Sequence, residues 1–286
     1  MVSLVVATVG RVCELERLLS SLDAQTHRDF EVIIVDQNAD DCLVPVIQQH
    51  PGLTIVHLRA ERGGSHARNV GLGAARGDLI AFPDDDCWYP SGLLASVFSW
   101  FESHPEFGGL IVCLRDAEGR PVGPKWPTKA CVCTQKSLWK SALTPNGFLR
   151  RQVTDAIGLF DVNIGVGAKS RYQAGEDLDY FLRPLEHGYQ MWFEPALTVH
   201  HPVYHSVERL RRTTYSYALG GAYVVRMHRY PITFFAWLVC LSLGGAALSL
   251  CKADLENTKM YLARVAGQLR GYLWGPRDMA RLHSLK

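Results

Sequence analysis

Short apolar runs alternate with helical patterns along the first hundred residues, and each run ends in polar residues. No other feature restricts the fold as much. Val2 to Ala7 is rich in β-branched residues and reads as a buried strand. After the loop Thr8-Val9-Gly10-Arg11, the residues Val12, Leu15, Leu18, Leu19 and Leu22 recur at helical spacing, with Glu14, Glu16 and Arg17 on the other face. Phe30 to Val35 is a second strand, running out into Asp36-Gln37-Asn38. Leu53 to Leu58 is a third, Gly63 to Ala75 a glycine-opened helix, Leu79 to Phe82 a fourth strand and Ser91 to Ser103 a further helix. Strand and helix in turn predict an α/β fold: a Rossmann-like, mostly parallel sheet flanked by helices.

In such sheets ligands bind beyond the carboxyl ends of the strands. The residues expected there are Thr8, Arg11, Asp36 and the triplet Asp84, Asp85, Asp86, all polar and all brought to one edge by this topology. That convergence points to a nucleotide-like ligand. Three consecutive carboxylates after Leu79-Ile-Ala-Phe82 repel one another without a cation. If the strand continues through them, its alternation points Asp84 and Asp86 the same way, as a hard-oxygen site for Mg²⁺ or Mn²⁺. The competing reading is a turn that caps the helix starting near Ser91.

Further on, Gly109 to Leu114 is expected as a strand, and the proline-rich, basic stretch Asp116 to Lys140 as a loop over the site. Ile157 to Asp161 reads as a short buried segment and Gly165-Val-Gly167 as a turn. Glu176, Asp177 and Asp179 follow Gly175, as acids do in a helix's first turn. Gln190 to Phe193 and Leu197 to Val199 read as final strands before His200-His201-Pro202.

A net charge of +2 makes no case for a nucleic-acid surface. The eight cysteines are scattered apart from Cys131-Val-Cys133, a weak zinc signal, so free thiols in a reducing compartment are expected. The amino-terminal segment lacks the basic region and cleavage site of a signal peptide, which points to a cytoplasmic address.

From Arg209 the composition shifts, and a boundary is expected between a domain over 1–205 and a helical region over 206–286. Arg209, Arg211, Arg212, Arg226, His228 and Arg229 interleave with Tyr215, Tyr217, Tyr223 and Tyr230. Ile232 to Leu250 is uncharged and just long enough to cross a bilayer, with the basic flank on the cytoplasmic side. Leu255, Leu262, Val265, Leu269 and Leu273 then form an amphipathic stripe. A monotopic or hairpin-like attachment to the inner face of a membrane is the favoured reading. A true span and a soluble helical pair or homodimer interface stay open.

The order and spacing of five motifs over roughly Met1 to Pro202 resemble the family 2 glycosyltransferases, which carry the GT-A fold. The motifs are Thr8 and Arg11 after the first strand; Val35-Asp36; Gly63-Gly64-Ser-His-Ala-Arg-Asn69; Asp84-Asp85-Asp86; and Gly175-Glu-Asp177. The resemblance implies a nucleotide-diphosphate sugar donor, with Asp36 accepting from the ring N–H of the base and Thr8 and Arg11 lining the same pocket. Arg68 and Asn69 contact the nucleotide or fix the metal-binding loop. Asp84 and Asp86 match the Asp-x-Asp motif that holds a divalent metal, Mn²⁺ or Mg²⁺, on the diphosphate, and Asp85 reaches the sugar or ribose. Asp177 matches the catalytic base, with Glu176 as runner-up. His201, or alternatively His200, touches the metal or phosphate. Trp126 and Lys125 contact the acceptor or belong to a surface loop.

The Gln-x-x-Arg-Trp motif of processive members does not occur. The expected enzyme is therefore an inverting, metal-dependent, hexosyltransferase-type protein that adds one sugar to a lipid-linked saccharide during O-antigen, capsule or exopolysaccharide assembly. Transfer to polyprenyl phosphate is the near alternative. A sugar nucleotidyltransferase fits less well, because Thr8-Val-Gly-Arg11 is too sparse for its glycine-rich loop. A non-catalytic binding protein has no need of both the aspartate triplet and Glu176-Asp177.

Overall fold

The computed structural model describes residues 1–122, 126–202 and 207–284, and the side chains of all of these except 207–212 and 276–284. Lys125 and the side chains of Arg209, Arg211 and Arg212 lie outside the described parts. The strands are β1 (Val2–Thr8), β2 (Phe30–Asp36), β3 (Ile55–Arg59), β4 (Leu79–Ala81), β5 (Phe107–Arg115), β6 (Cys131–Val132), β7 (Gly147–Arg150) and β8 (Gln190–His200). The helices are α1 (Val12–Asp23), α2 (Val44–Gln48), α3 (Gly64–Ala74), α4 (Leu93–Ser103), α5 (Gln135–Ser141), α6 (Arg151–Ile157), α7 (Glu176–Glu186), α8 (Val207–Met227), α9 (Ile232–Cys251) and α10 (Leu255–Ser284). The chain divides into two compact units.

The first unit comprises Met1–Phe160 and Tyr180–Val203. It is built on one eight-stranded sheet of order β3-β2-β1-β4-β7-β5-β8-β6. The parallel pairs are β2 with β3, β1 with β2, β1 with β4, and β5 with β8. β1 and β2 are buried almost throughout, which is why they read as continuous apolar runs instead of alternating ones. The buried polar side chains Ser3 and Glu31 are paired. Ser3 Oγ donates to Glu31 Oε1 at 2.6 Å, and the backbone N–H of Gly77 and of Arg76 donate to Ser3 Oγ and Glu31 Oε1. α3 lies close on the sheet because Gly71 has no side chain: a Cβ there would sit 2.4 Å from Val5 Cγ1.

Several features depart from the sequence reading, among them the helices α2 and α6, which it does not assign. β7 was not foreseen; it runs antiparallel between β4 and β5. Its first residue must be glycine, since a Cβ on Gly147 would lie 2.1 Å from Phe181 Cζ. The stretch Asp116 to Lys140 is not one loop. It contains β6 and the start of α5, where Thr134 and Ser137 form a capping box. The two expected final strands are one strand, β8, whose pairing with β5 shifts register between Val112 and Cys113. All eight cysteines are free thiols; burial pushes that of Cys133 up to about 12.

The second unit comprises Asp161–Asp179 and Tyr204–Lys286. In it α8 and α10 approach backbone to backbone. A Cβ on Gly271 of α10 would fall 2.1 Å from the Leu219 carbonyl oxygen, and one on Gly267 would fall 2.6 Å from that of Tyr215. α9 is 20 residues long and apolar enough to cross a bilayer. Only 22% of its most apolar stretch is buried. Trp237, Leu241, Leu243, Leu248 and Leu250 are exposed on α9, as are Leu255, Leu262, Leu273 and Trp274 on α10.

Candidate active site

β4 stops at Ala81, and Pro83 prevents its ladder from continuing. The aspartates therefore do not sit on an extended strand. The Cys87 N–H donates to the Asp84 carbonyl at 3.1 Å, closing a turn with Asp85 and Asp86 at its centre. This corrects the alternation argument: a turn presents these carboxylates. Nor do they cap α4, whose N-cap is Gly92 with no side-chain cap.

The turn is held by cations from α1 and the loop before it. Arg11 Nη1 donates to Asp85 Oδ1 at 2.9 Å and to Asp86 Oδ2 at 2.5 Å. Arg17 donates to the Asp86 carbonyl, and its guanidinium lies 4.2 Å from the centre of the Trp88 ring. Asp85 and Asp86 are buried, at 6% and 2% exposure. Burial raises the Asp85 carboxyl above the ordinary range; the neighbouring Asp86 adds to this, while Arg11 and Thr8 oppose it. Asp84 is more open and receives a 3.3 Å contact from Arg68 Nη2, which also donates to Thr144 Oγ1 at 3.0 Å.

The two histidines go to different places. Trp88 and His200 exchange backbone hydrogen bonds of 3.0 and 2.9 Å, and their rings stack with centroids 5.2 Å apart. His200 Nδ1 donates to the Asp116 carbonyl. That bridge ties the end of β8 to the aspartate turn and brings the next residue onto it: His201 Nε2 lies 3.3 Å from Asp86 Oδ1 and 4.0 Å from Asp84 Oδ2. His201 Nδ1 faces the Pro202 carbonyl at 2.7 Å, which can only accept. In the neutral ring the Nε2 lone pair is then directed at the aspartates, as in carbonyl-oriented metal-ligating histidines.

Asp86, Cys87 and His201 can bring one ligand atom each within 4.8 Å of one another. The Cys87 thiol is buried beside three carboxylates, which holds its pKa well above normal. Mn²⁺ and Mg²⁺ prefer oxygen to sulfur ligands. The oxygen donors nearest His201 Nε2 whose chemistry suits such an ion are Asp86, at 3.3 Å, and Asp84, at 4.0 Å.

Asp36 is fully buried at the end of β2. Its Oδ1 accepts from the backbone N–H and side-chain amide of Asn38, both at 2.8 Å; its Oδ2 lies 3.0 Å from His57 Nε2 and 3.2 Å from Arg59 Nη1. Accepting from a base N–H would mean exchanging one of these partners. Asn69 is paired with the backbone of Phe160, donating to its carbonyl at 2.9 Å and accepting from its N–H at 2.8 Å. It fixes that segment and not the aspartate turn. Trp126 is neither exposed nor in a simple surface loop: its indole N–H donates to the Val122 carbonyl and its ring stacks on Phe193.

Glu176 and Asp177 belong to the second unit, where they open α7. Gly175 before them has φ +103°, and Glu176 is buried, its Oε1 3.5 Å from the Val166 N–H. Asp177 is half-buried. Sequence reasoning missed Arg17, Trp88 and Thr144. The sequence places Arg17 on the polar face of α1, and the one available signal is Trp88, two residues after the acidic cluster.

The profile of the family described as "Glycosyl transferase family 2" matches residues 3–158, more than half of the chain. The chain belongs to that family. An uncharacterized glycosyltransferase of Bacillus subtilis, YwdF, is 29% identical over 171 residues, covering 57% of this chain and 63% of the relative. The GalNAc(5)-diNAcBac-PP-undecaprenol beta-1,3-glucosyltransferase of Campylobacter jejuni is 31% identical over 100 residues, covering 33% of this chain and 32% of the relative. The chain thus spans less than two thirds of the length of these relatives. Among solved structures, the mannosyltransferase PcManGT of Pyrobaculum calidifontis, in complex with GDP-Man and Mn²⁺, superposes with TM-score 0.60 at 18% identity, over 95% of this chain and 87% of that one. The shared fold confirms the GT-A architecture expected from the motifs.

Proposed function

We propose that the protein transfers a single glycosyl unit from a nucleotide-diphosphate sugar to a hydroxyl acceptor with inversion at the anomeric carbon. The observation that carries this is the convergence of His201 on Asp84 and Asp86. These residues suit Mn²⁺ or Mg²⁺, and such an ion supplies neutralisation of the negative charge that grows on the leaving diphosphate. The mannosyltransferase structure with GDP-Man and Mn²⁺ supports the same reading by analogy of fold.

The chain's own residues supply the rest. Arg11 and Arg68 bring positive charge to the side of the turn where a diphosphate approaches. Thr8, Asp36, Asn69 and Asp85 shape or support the donor pocket. Asp177 accepts the proton of the acceptor hydroxyl while its oxygen bonds to the anomeric carbon and the bond to the β-phosphate oxygen breaks. Glu176 supports it. The products are a glycoside and a nucleoside diphosphate. The acceptor is a lipid-linked saccharide, with polyprenyl phosphate as the second choice. Support comes from the exposed apolar residues of α9 and α10 and from the Campylobacter relative, whose name includes a PP-undecaprenol-linked saccharide. They favour work at the cytoplasmic face of a membrane.

Asp177→Asn tests the base. The amide keeps the shape but takes up no proton at neutral pH, so transfer should slow by roughly 10² to 10⁴. Donor affinity, read by calorimetry with a panel of UDP-, dTDP- and GDP-sugars, should stay at the parental value. Glu176→Gln should be milder. Transfer at near-parental rate by Asp177→Asn would refute the assignment.

A further inference from the structure

We propose that α8 is a catalytic positioning element, and that His228, just beyond its last turn, aligns the acid pair at the start of α7 by holding Asp179. The proposal rests on the reading of Asp177 as the base.

Within the second unit, one stripe of the α8 segment touches the stretch that carries the acids at three successive levels. At the first, Gly220 lies so close to the loop that a Cβ on it would be 2.0 Å from the Ala174 carbonyl oxygen. At the second, Tyr223 packs its ring 5.0 Å from that of Tyr172, and Val224 Cγ2 would lie 3.0 Å from a Cβ on Gly175. At the third, the buried His228 places Nε2 2.9 Å from Asp179 Oδ1. Residues 220, 223, 224 and 228 fall on one face of a helix, so a single rigid rod makes all of these contacts.

Glu176 and Asp177 sit between the two ends of this clamp. Tyr172 is held upstream and Asp179 downstream. Gly175, at φ +103°, supplies the sharp entry into α7. The first turn of α7 carries three carboxylates, Glu176, Asp177 and Asp179, which repel one another. A donor on Asp179 relieves part of that repulsion and fixes the rotation of the turn about its axis. A general base works only within hydrogen-bonding reach of the acceptor proton, and a displacement of about 1 Å can cost about a hundredfold in rate. α8 is itself braced by α10, where Gly267 and Gly271 meet the carbonyls of Tyr215 and Leu219. The carboxyl-terminal helices thus reach the acid pair through packed backbone, beyond any part they play at a membrane.

The test uses the full chain. His228→Ala should lower kcat by roughly ten- to a hundredfold while the Kd for donor nucleotide stays within about twofold, since only positioning for the transfer step is lost. His228→Gln retains an N–H donor and should recover most of the rate. Asp179→Leu combined with His228→Ala should be no worse than the slower single variant, because both remove the same contact. Thermal unfolding of each variant identifies any that fails to fold, and Asp179→Leu alone, similar in size but unable to accept the hydrogen bond, supplies the second arm. Parental kcat in both folded single variants would overturn the proposal, as would additive losses in the double variant. Asp177→Asn, measured alongside, separates the two readings. If it is inactive and the His228 variants are not, the clamp is wrong; if it is active, the base is wrong.

Discussion

His201 Nε2 lies 3.3 Å from Asp86 Oδ1, and the contact depends on the backbone bridge that the preceding residue, His200, makes with Trp88. One histidine builds the site and the next one faces it.

The two should separate cleanly on substitution. Metal-site supporting residues typically contribute about 10- to 100-fold to affinity, and a direct ligand should reach at least the lower figure. His201→Ala is expected to weaken Mn²⁺ binding, measured by titration calorimetry, by that amount. His200→Ala should bind Mn²⁺ as the parent does but melt lower, having lost a ring stack worth about 0.5–1.5 kcal/mol. Unchanged Mn²⁺ affinity in His201→Ala would remove it from the ligand set.

Asp85 gives a pH dependence. Burial raises its carboxyl above the ordinary 3.8, so the folded protein holds this proton more tightly than the unfolded chain does. Its contribution to stability is full below the unfolded value and is lost as pH rises through the raised one. Asp85→Asn stays neutral and is spared that loss. Relative to the parent, its thermal transition in metal-free buffer should therefore rise as the pH climbs above the ordinary carboxylate range. A difference between the two proteins that does not vary with pH would contradict a raised carboxyl.

The exposed apolar residues of α9 predict membrane attachment. Leu241 and Leu248 are 54% and 59% exposed. Each leucine buried in lipid is worth roughly 1.5–3 kcal/mol, so Leu241→Glu and Leu248→Glu should each reduce co-sedimentation with anionic vesicles about tenfold or more. Point variants are preferable to cutting the chain after Arg229, because that cut also strips α10 from α8 and exposes its packed face. A parent protein that stays in the supernatant with vesicles present would dismiss the attachment.

Much of the fold was legible because it is encoded locally. The apolar runs of β1, β2 and β4 and the periodic leucines of α1 state their own structure, and Asp84 to Asp86 announce a site by their mutual repulsion. β7 was hidden for the opposite reason. Gly147-Phe-Leu-Arg150 is too short to carry a period, and it is a strand only because β4 and β5 offer edges on both sides. Asp116 to Lys140 likewise conceals β6, which exists through its pairing with β8.

By itself the sequence determined the longer apolar strands and periodic helices, the family and the residue types at the site, because side-chain periodicity and covalent spacing are properties of a contiguous chain. Only the tertiary structure decided which histidine meets the aspartates, that a turn and not a strand presents them, that Asp36 already has its partners, and that 161–179 groups with the carboxyl-terminal helices. Each of these depends on the register of backbone pairs or on close approaches between segments far apart in the chain. Such registers follow from how side chains fill space together, and no local window of sequence contains both partners.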